Sequence, residues 1–388
     1  MDSEQFGPYT VFECLGAGGM ATVHRAEKPI GAGVMREVAL KRLLPQLADD
    51  KLFVEDFIRE AKLAAQLVHP NIVHILELGE VGDTYFIAME LVRGASLSAL
   101  MKHAYATKLS APIGVVIALM SELCDALDYA ACGRGTYGQA LKIIHRDLTP
   151  SNLIVTDQGR LKIIDFGVAK AMSGKFMTNT GLIKGKLGYM SVEALSGSKS
   201  LDARTDIFSA GVVAWELLAG RRLFRGVNEY ETITKIRSGE ILAPSVHNAD
   251  CPPELDAIVL QAVARERDER WPDAGSMRAA LDRLRPRFLE GPQHVVAWKE
   301  SVIPRVRVAP RAPTHLDAAN EVTANRRSAR ELAEGSVRRP SSTDLRGSTI
   351  RPRTGDPTRK DLPSNRDVTQ DDEATTFDTQ LSDPPSDD

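Results

Sequence analysis

The chain is short of cysteine, short of aromatic residues and without any long apolar run, and these shortages exclude whole classes of protein. Its four cysteines, Cys14, Cys124, Cys132 and Cys251, are scattered through 388 residues with no C-x-x-C spacing. That excludes a disulfide scaffold and a cysteine zinc site, and predicts reduced thiols in a cytoplasmic protein. No uninterrupted apolar stretch approaches the ~20 residues needed to span a bilayer. The first residues are polar and acidic, unlike a signal peptide. An excess of one charge is lacking too: 49 Lys and Arg against 52 Asp and Glu leave a formal net charge of −3. Such a balance gives no reason to expect a nucleic-acid partner. With 43% hydrophobic residues, the length still allows a sizeable core and two or three structural units.

The most informative stretch runs from Ile143 to Gly167. It reads Ile143-Ile144-His145-Arg146-Asp147-Leu148-Thr149-Pro150-Ser151-Asn152, then an apolar run, then Leu161-Lys162-Ile163-Ile164-Asp165-Phe166-Gly167. A β-branched strand leads into a loop stiffened by Pro150, Gly159 marks a tight turn, and a second strand delivers Asp165. Two carboxylates and an amide oxygen are thereby gathered at one hairpin end. Hard divalent cations take oxygen ligands, and Mg²⁺ bound to phosphates usually uses one or two protein carboxylates. Asn152 and Asp165 are the candidate metal ligands, which leaves Asp147 to orient a hydroxyl nucleophile.

Both segments in this order, with the asparagine between them, resemble the catalytic loop and Asp-Phe-Gly segment of eukaryotic-like protein kinases. The likeness is nearest to bacterial serine/threonine kinases, in Gly18-Gly19-Met20 and around Tyr189-Met190. It implies an α+β, two-lobed fold over residues 1–290. A five-stranded antiparallel sheet with one helix would occupy about 1–90, the hinge 90–94, and a mostly helical lobe 95–290. ATP with Mg²⁺ (or Mn²⁺) would lie in the cleft, and its γ-phosphoryl group would pass to serine or threonine hydroxyls of protein substrates. Asp147 is the base in this reading, and His145 a packed structural histidine.

Upstream, a strand over Phe6–Cys14 runs into Leu15-Gly16-Ala17-Gly18-Gly19-Met20-Ala21-Thr22-Val23 and a second strand over Val23–Glu27. Glycines there let backbone amides approach phosphate oxygens. No helix follows, so the P-loop and dinucleotide-binding readings fail. Ala21 stands where the kinase pattern has its third glycine. Val38-Ala39-Leu40-Lys41 comes next, and the resemblance places Val23 and Ala39 over the adenine, Ile154 in the same pocket and Lys41 on the phosphates. Apolar residues at Phe53, Phe57, Ala61, Ala64 and Val68 predict a helix over 52–68. Its Glu60 is the candidate partner of Lys41. Strands are expected over Ile72–Leu78 and Tyr85–Leu91. By resemblance, Met89 sets the pocket depth, and the Glu90 carbonyl and Val92 amide read the adenine edge.

Downstream, periodic segments predict helices over Ser96–His103 and Ile113–Ala131, followed by a glycine-rich surface insertion to 141. Residues 168–184 resemble an activation loop, in which Thr178 or Thr180 is the expected phosphorylation site, its phosphate ordered by Arg146. Glu193 is what remains of the family's Ala-Pro-Glu. Asp206 should bind the catalytic-loop backbone, Arg270 should lock Glu193, and the last helix of the domain should span about Asp273–Arg285. Two departures from the family pattern are complementary. Thr149 stands where the pattern has lysine, and Lys186 where it has threonine, so Lys186 is expected to take over the lysine's place beside the phosphate, with Thr149 bonding Asp147 or Lys186.

Residues 291–388 are expected to be a largely disordered tail, because Pro, Ser, Thr, Arg and Asp dominate from Ile303 on and cannot bury enough surface to offset chain entropy. No membrane span is expected after the kinase domain. Thr369 and Thr375 each have an aspartate three residues on (Asp372 and Asp378), a spacing resembling that read by phosphothreonine-binding forkhead-associated domains, which makes such a domain a candidate partner. The rivals to an active protein kinase are a catalytically dead scaffold, which would have lost Lys41, Asp147 or Asp165, and a small-molecule phosphotransferase, which would lack the machinery from Asp206 to Arg270.

Overall fold

Tyr9–Ala17, Ala21–Gly31 and Val34–Leu43 are joined by glycine-containing turns and form β2, β3 and β4 of the first sheet. The computed structural model describes residues 3–135, 138–166, 186–198 and 200–302. With β1 (Glu4–Phe6), β5 (Ile75–Val81) and β6 (Thr84–Glu90), the antiparallel order is β1-β2-β3-β4-β6-β5. The sheet thus has one strand more than the five expected. Gly7, at φ +53°, turns the chain so that Glu4–Phe6 pairs back onto Tyr9–Val11. Phe6 then meets Phe86 edge-on at 5.8 Å between ring centres.

α1 (Lys51–Ala64) is capped by Asp50, whose side chain accepts from the Leu52 amide at 3.0 Å. It buries Phe57, Glu60, Ala61 and Ala64 against the sheet. The helix stops at Ala64, short of the expected 68, and Val68 is exposed. The strand expected from Ile72 begins at Ile75 instead, because Ile72 and Val73 are engaged with Ile163 of β9 (Leu161–Ile163) in the second lobe.

That lobe opens with a small antiparallel sheet, β7 (Gly94–Ser96) against β8 (Leu153–Thr156) against β9. Helices follow: α2 (Leu97–Thr107), α3 (Ile113–Cys132), α4 (Val192–Leu195), α5 (Arg204–Ala219), α6 (Glu229–Ser238), α7 (Pro253–Ala262) and α8 (Ala274–Leu284). α3 and α5 are apolar on nearly every face and form the middle of the core. The insertion after α3 is pinned by an Arg134–Ala140 bridge.

The chain does not lose structure at 291, and α8 is not the last helix of the domain. α9 (Pro292–Val302) buries Val295, Trp298, Lys299 and Val302, a face of i, i+3, i+4, i+7 spacing. Lys299 is the reason it was hard to see in the sequence: a lysine on the buried face breaks the apolar stripe. Its ammonium pairs with Asp157 and donates to the Thr156 carbonyl at 3.3 Å. Gly159, at φ +73°, lies so close to Pro292 that a Cβ would come within 2.1 Å of that residue's carbonyl oxygen. Among the described residues no helix is long and apolar enough to cross a membrane, and all four cysteines are free thiols.

Candidate active site

Lys41 sits in β4, in register with Val23 on β3 and Ile87 on β6, so its stem crosses the sheet face that packs on α1. The side chain is buried, and its ammonium lies 2.7 Å from Glu60 Oε1 and 2.9 Å from Asp165 Oδ1. Burial alone would lower the lysine's pKa. The carboxylates of Asp165 and Glu60 more than reverse this and hold the ammonium above the usual lysine range. Glu60 from α1, Lys41 from the sheet and Asp165 from the second lobe are thus one ion chain.

Asp147 is held by its backbone. Asp206, buried in the first turn of α5, accepts the His145 amide at Oδ2 (2.6 Å) and the Arg146 amide at Oδ1 (2.9 Å). Burial pushes the Asp206 carboxyl up to about 6, against the pull of those two amides. The buried His145 ring packs 4.7 Å from that of Phe166, and its Nδ1 accepts the Asp147 amide at 3.3 Å. Asn152 Nδ2 donates to the Asp147 carbonyl at 2.8 Å, and the Ile164 amide donates to the Asn152 carbonyl at 2.8 Å. The loop of Asp147 and the strand exit carrying Asp165 are therefore tied together through Asn152. Arg146 (φ +63°) and Asp165 (φ +57°) both take the left-handed backbone, which non-glycine residues enter only when their surroundings over-determine it.

The Lys186 ammonium meets Asp147 Oδ2 at 2.6 Å. The threonine's half of the expected exchange is different. Thr149 Oγ1 is buried with no hydrogen-bond partner among the described residues, so the expected bond to Asp147 or Lys186 is not made. Its extended backbone (φ −144°, ψ 159°) starts the turn Pro150–Asn152, and the side chain is packed inward.

Over the cleft, the Gly18 amide closes the β2–β3 turn on the Ala21 carbonyl at 2.8 Å. A Cβ at Gly16 or Gly19 would meet no protein atom within 4 Å, so packing does not demand glycine there. Glycine there leaves the backbone amides open to close approach by phosphate oxygens. Ala21, Ala39 and Met89 are buried in one apolar cluster with Val23 and Val92 at its margin. Behind Met89, a small cavity is lined by Lys41, Glu60, Ile163, Asp165 and Phe166. Ile154 lies in β8, in register with Ser96 and Lys162. The donor set of Asn152 and Asp165 suits a hard cation, since Nδ2 of Asn152 is committed to the Asp147 carbonyl and Oδ1 is the atom left to ligate.

Residues 9–277 match the family model described as the protein kinase domain. The chain belongs to that family. Serine/threonine-protein kinase PrkC of Bacillus subtilis is 34% identical over 277 residues, 71% of this chain and 40% of that protein. Serine/threonine-protein kinase PknB of Mycolicibacterium smegmatis is 35% identical over 284 residues, 71% of this chain and 43% of that protein. Tyrosine-protein kinase MasK of Myxococcus xanthus is 39% identical over 289 residues, 74% of this chain and 44% of that protein. The chain thus spans less than half the length of these curated relatives. Among solved structures, a cysteine-to-alanine mutant of the Mycobacterium tuberculosis PknI kinase domain superposes with a TM-score of 0.53 at 28% identity, covering 72% of this chain and 96% of that one.

The kinase domain is locked at a distance from the cleft. The Arg270 guanidinium is fully buried and forks onto Glu193, Nη1 to Oε1 at 2.7 Å and Nη2 to Oε2 at 2.9 Å. Its remaining donors reach the carbonyls of Ala264, Arg204 and Arg265. Burial works against ionised Glu193, but the Arg270 bonds outweigh it and hold the carboxyl at about 2. Two features escaped sequence reasoning. The Glu90 side chain at the hinge is held by Lys162 and by the His74 amide. Buried Glu216 gathers Tyr189 Oη at 2.8 Å, Arg222 Nη1 at 3.1 Å and the Leu223 amide at 3.1 Å. A glutamate inside an apolar helix such as α5 was the available signal. Thr178 and Thr180, and Thr369 and Thr375 of the tail, lie outside the described residues.

Proposed function

We propose that this chain is a serine/threonine protein kinase that moves the γ-phosphoryl group of ATP to hydroxyls of protein substrates. The observation that carries the reading is the Lys41 ammonium held between Glu60 and Asp165, with Asp147 fixed one hydrogen-bonded loop away. Lys41 positions the nucleotide phosphates, and the Leu15–Val23 loop covers them. Asp147 orients the acceptor hydroxyl and takes its proton. Asn152 and Asp165 would hold Mg²⁺ or Mn²⁺, which when bound neutralises charge on the phosphate oxygens. Lys186 supplies a fixed cation beside Asp147, where charge on the transferring group must be met.

Regulation through Thr178 or Thr180 belongs to the same reading. It is supported by Arg146, whose Nε is buried with no hydrogen-bond partner among the described residues. Cytoplasmic action is supported by the four free thiols. The tail threonines Thr369 and Thr375 remain the candidate docking sites for a forkhead-associated partner.

The test is incubation of the purified chain with γ-labelled ATP and a general protein acceptor, followed by acid hydrolysis and separation of phosphoamino acids. Labelled phosphoserine or phosphothreonine is expected, and it should vanish with Asp147→Asn. Labelled phosphotyrosine alone would transfer the chain to the specificity named for MasK. No incorporation would leave the scaffold reading.

A further inference from the structure

Residues 220–225, after the last turn of α5, fold against α6 and Tyr105 of α2 to leave an open pocket of about 600 Å³. Of its ten lining residues, four are basic (Arg221, Arg222, Arg225 and Lys235) and one, Glu240, is acidic. Arg222 is committed to Glu216 and to the Tyr189 hydroxyl. Lys235 pairs with Glu231 at 2.8 Å and donates to the Arg225 carbonyl at 2.8 Å. The side chains of Arg221 and Arg225 are exposed and have no ion pair among the described residues. Burial, and beside it the Arg225 guanidinium, hold Arg222 below the usual arginine range, with Tyr105 opposing. Arg221 and Arg225 thus line the pocket as two exposed guanidiniums without a carboxylate partner among the described residues.

The pocket is mechanically continuous with the transfer site. Tyr189, whose hydroxyl binds Glu216 and Arg222, follows Lys186 by three residues, a span of at most ~11 Å. Gly188 approaches the Phe224 carbonyl so closely that a Cβ would stand 2.9 Å from it. The loop that bears the arginines and the segment that lays Lys186 on Asp147 are thus packed as one piece. An extended polypeptide advances ~3.3 Å per residue, so an acceptor with its hydroxyl at Asp147 that follows the Lys186–Tyr189 segment can carry a further side chain to the pocket.

We propose that this pocket is a specificity subsite for the acceptor polypeptide, in which Arg221 and Arg225 receive an aspartate or glutamate carboxylate a few residues from the phosphorylated hydroxyl. The proposal rests on the protein-kinase reading and names its substrate class as acidic. A guanidinium matches a carboxylate with two parallel hydrogen bonds, and the same two cations reject a lysine- or arginine-rich acceptor.

Binding is measured without nucleotide, by fluorescence anisotropy, so the result does not depend on transfer. Four labelled serine peptides are compared: one flanked by Asp and Glu, its Asn and Gln twin, a twin carrying phosphoserine in place of the acids, and a lysine-flanked twin. The acidic peptide is expected to bind about tenfold tighter than the amide twin, in line with charge-assisted bonds. Arg221→Ala with Arg225→Ala should erase that difference. Both side chains are exposed, so the variant should melt as the wild type does, and Arg225→Glu, as a second variant, should favour a lysine-flanked peptide. Equal binding of the acidic and amide peptides would overturn the proposal. An acidic preference undiminished in both variants would do the same, as would a preference for phosphoserine with none for aspartate over asparagine. Failure of the kinase reading appears separately, as absence of labelled phosphate transfer.

Discussion

The Lys186 ammonium stands 2.6 Å from Asp147 Oδ2, while Thr149, two residues beyond Asp147, turns its hydroxyl into the protein. If Lys186 meets transition-state charge, Lys186→Thr should lower turnover by about 10²–10³-fold, the range for loss of one such donor. The exchange Thr149→Lys with Lys186→Thr should recover much of that loss, because a cation is restored beside the same carboxylate, and the two changes would then be non-additive. Turnover on one acceptor peptide for the four combinations decides it. The structure adds a demand: a lysine at 149 must leave the inward pocket that holds the threonine, so recovery should be partial. Strictly additive losses would end the exchange model.

Asp147→Asn separates transfer from nucleotide binding. The loop is fixed through backbone groups, by Asp206 on His145 and Arg146 and by Asn152 on the Asp147 carbonyl, and none of these uses the Asp147 carboxylate. Loss of the base should therefore cut turnover by roughly 10²–10⁴-fold while ATP affinity, measured by calorimetry, stays near that of the wild type. Lys41→Met should instead strand buried Glu60 without its cation and weaken ATP binding as well. Equal ATP-affinity losses in the two variants would contradict the division of roles.

The placement of the candidate site residues was legible in the sequence because their motifs are local. Lys41, Asp147, Asn152 and Asp165 each lie in a short motif whose neighbours dictate a strand end or a tight loop, and Glu60 was picked out by the family resemblance on a helix that the apolar spacing predicts. What was not legible depends on long-range packing. The stretch around Lys299 looks like the start of a polar tail until its ammonium finds Asp157 in the turn of a distant hairpin. Glu216 looks like an ordinary helix glutamate until Tyr189 and Arg222 fold over it. Strand β1 is three residues long, too short for an alternating pattern, and exists because Gly7 allows the chain to reverse. The Thr149 side chain was misjudged for a related reason: sequence identified the position but not the direction in which a loop side chain points.

Asp206→Asn probes the anchor of the catalytic loop. The carboxylate offers one oxygen to each of two amides, whereas asparagine offers one oxygen and an NH₂ group that faces a donor. One of the two amides should lose its partner, at a cost of ~1–3 kcal/mol for an unsatisfied buried donor, partly offset because a buried charge is removed. Hydrogen exchange should show faster exchange at the His145 or Arg146 amide, and turnover should fall. Unchanged protection at both amides would show that the carboxylate is not the anchor.

Glu193 and Asp206 should respond to acid with opposite signs. Glu193 is held at about 2, against an ordinary value of 4.5. Its folded form binds fewer protons than the unfolded chain between those values, so its contribution to stability is present above ~4.5 and lost as pH falls towards 2. Asp206 is pushed from 3.8 up to about 6. Its ionisation is disfavoured in the fold, so stability from this group is present below ~3.8 and lost as pH rises through 6. At neutral pH, Arg270→Ala should cost ~3–5 kcal/mol, because it leaves the Glu193 carboxylate half-buried without its fork. Arg270→Lys should recover only part of this, since an ammonium cannot make two parallel bonds. The decisive comparison is Glu193→Gln against wild type in urea unfolding from pH 7 to pH 3. The gap should be widest at neutral pH and should narrow below ~4.5, where the unfolded chain's glutamate takes up a proton that the folded carboxylate refuses. A gap that stayed constant over the whole range would show that Glu193 acts through packing and not through its charge on Arg270.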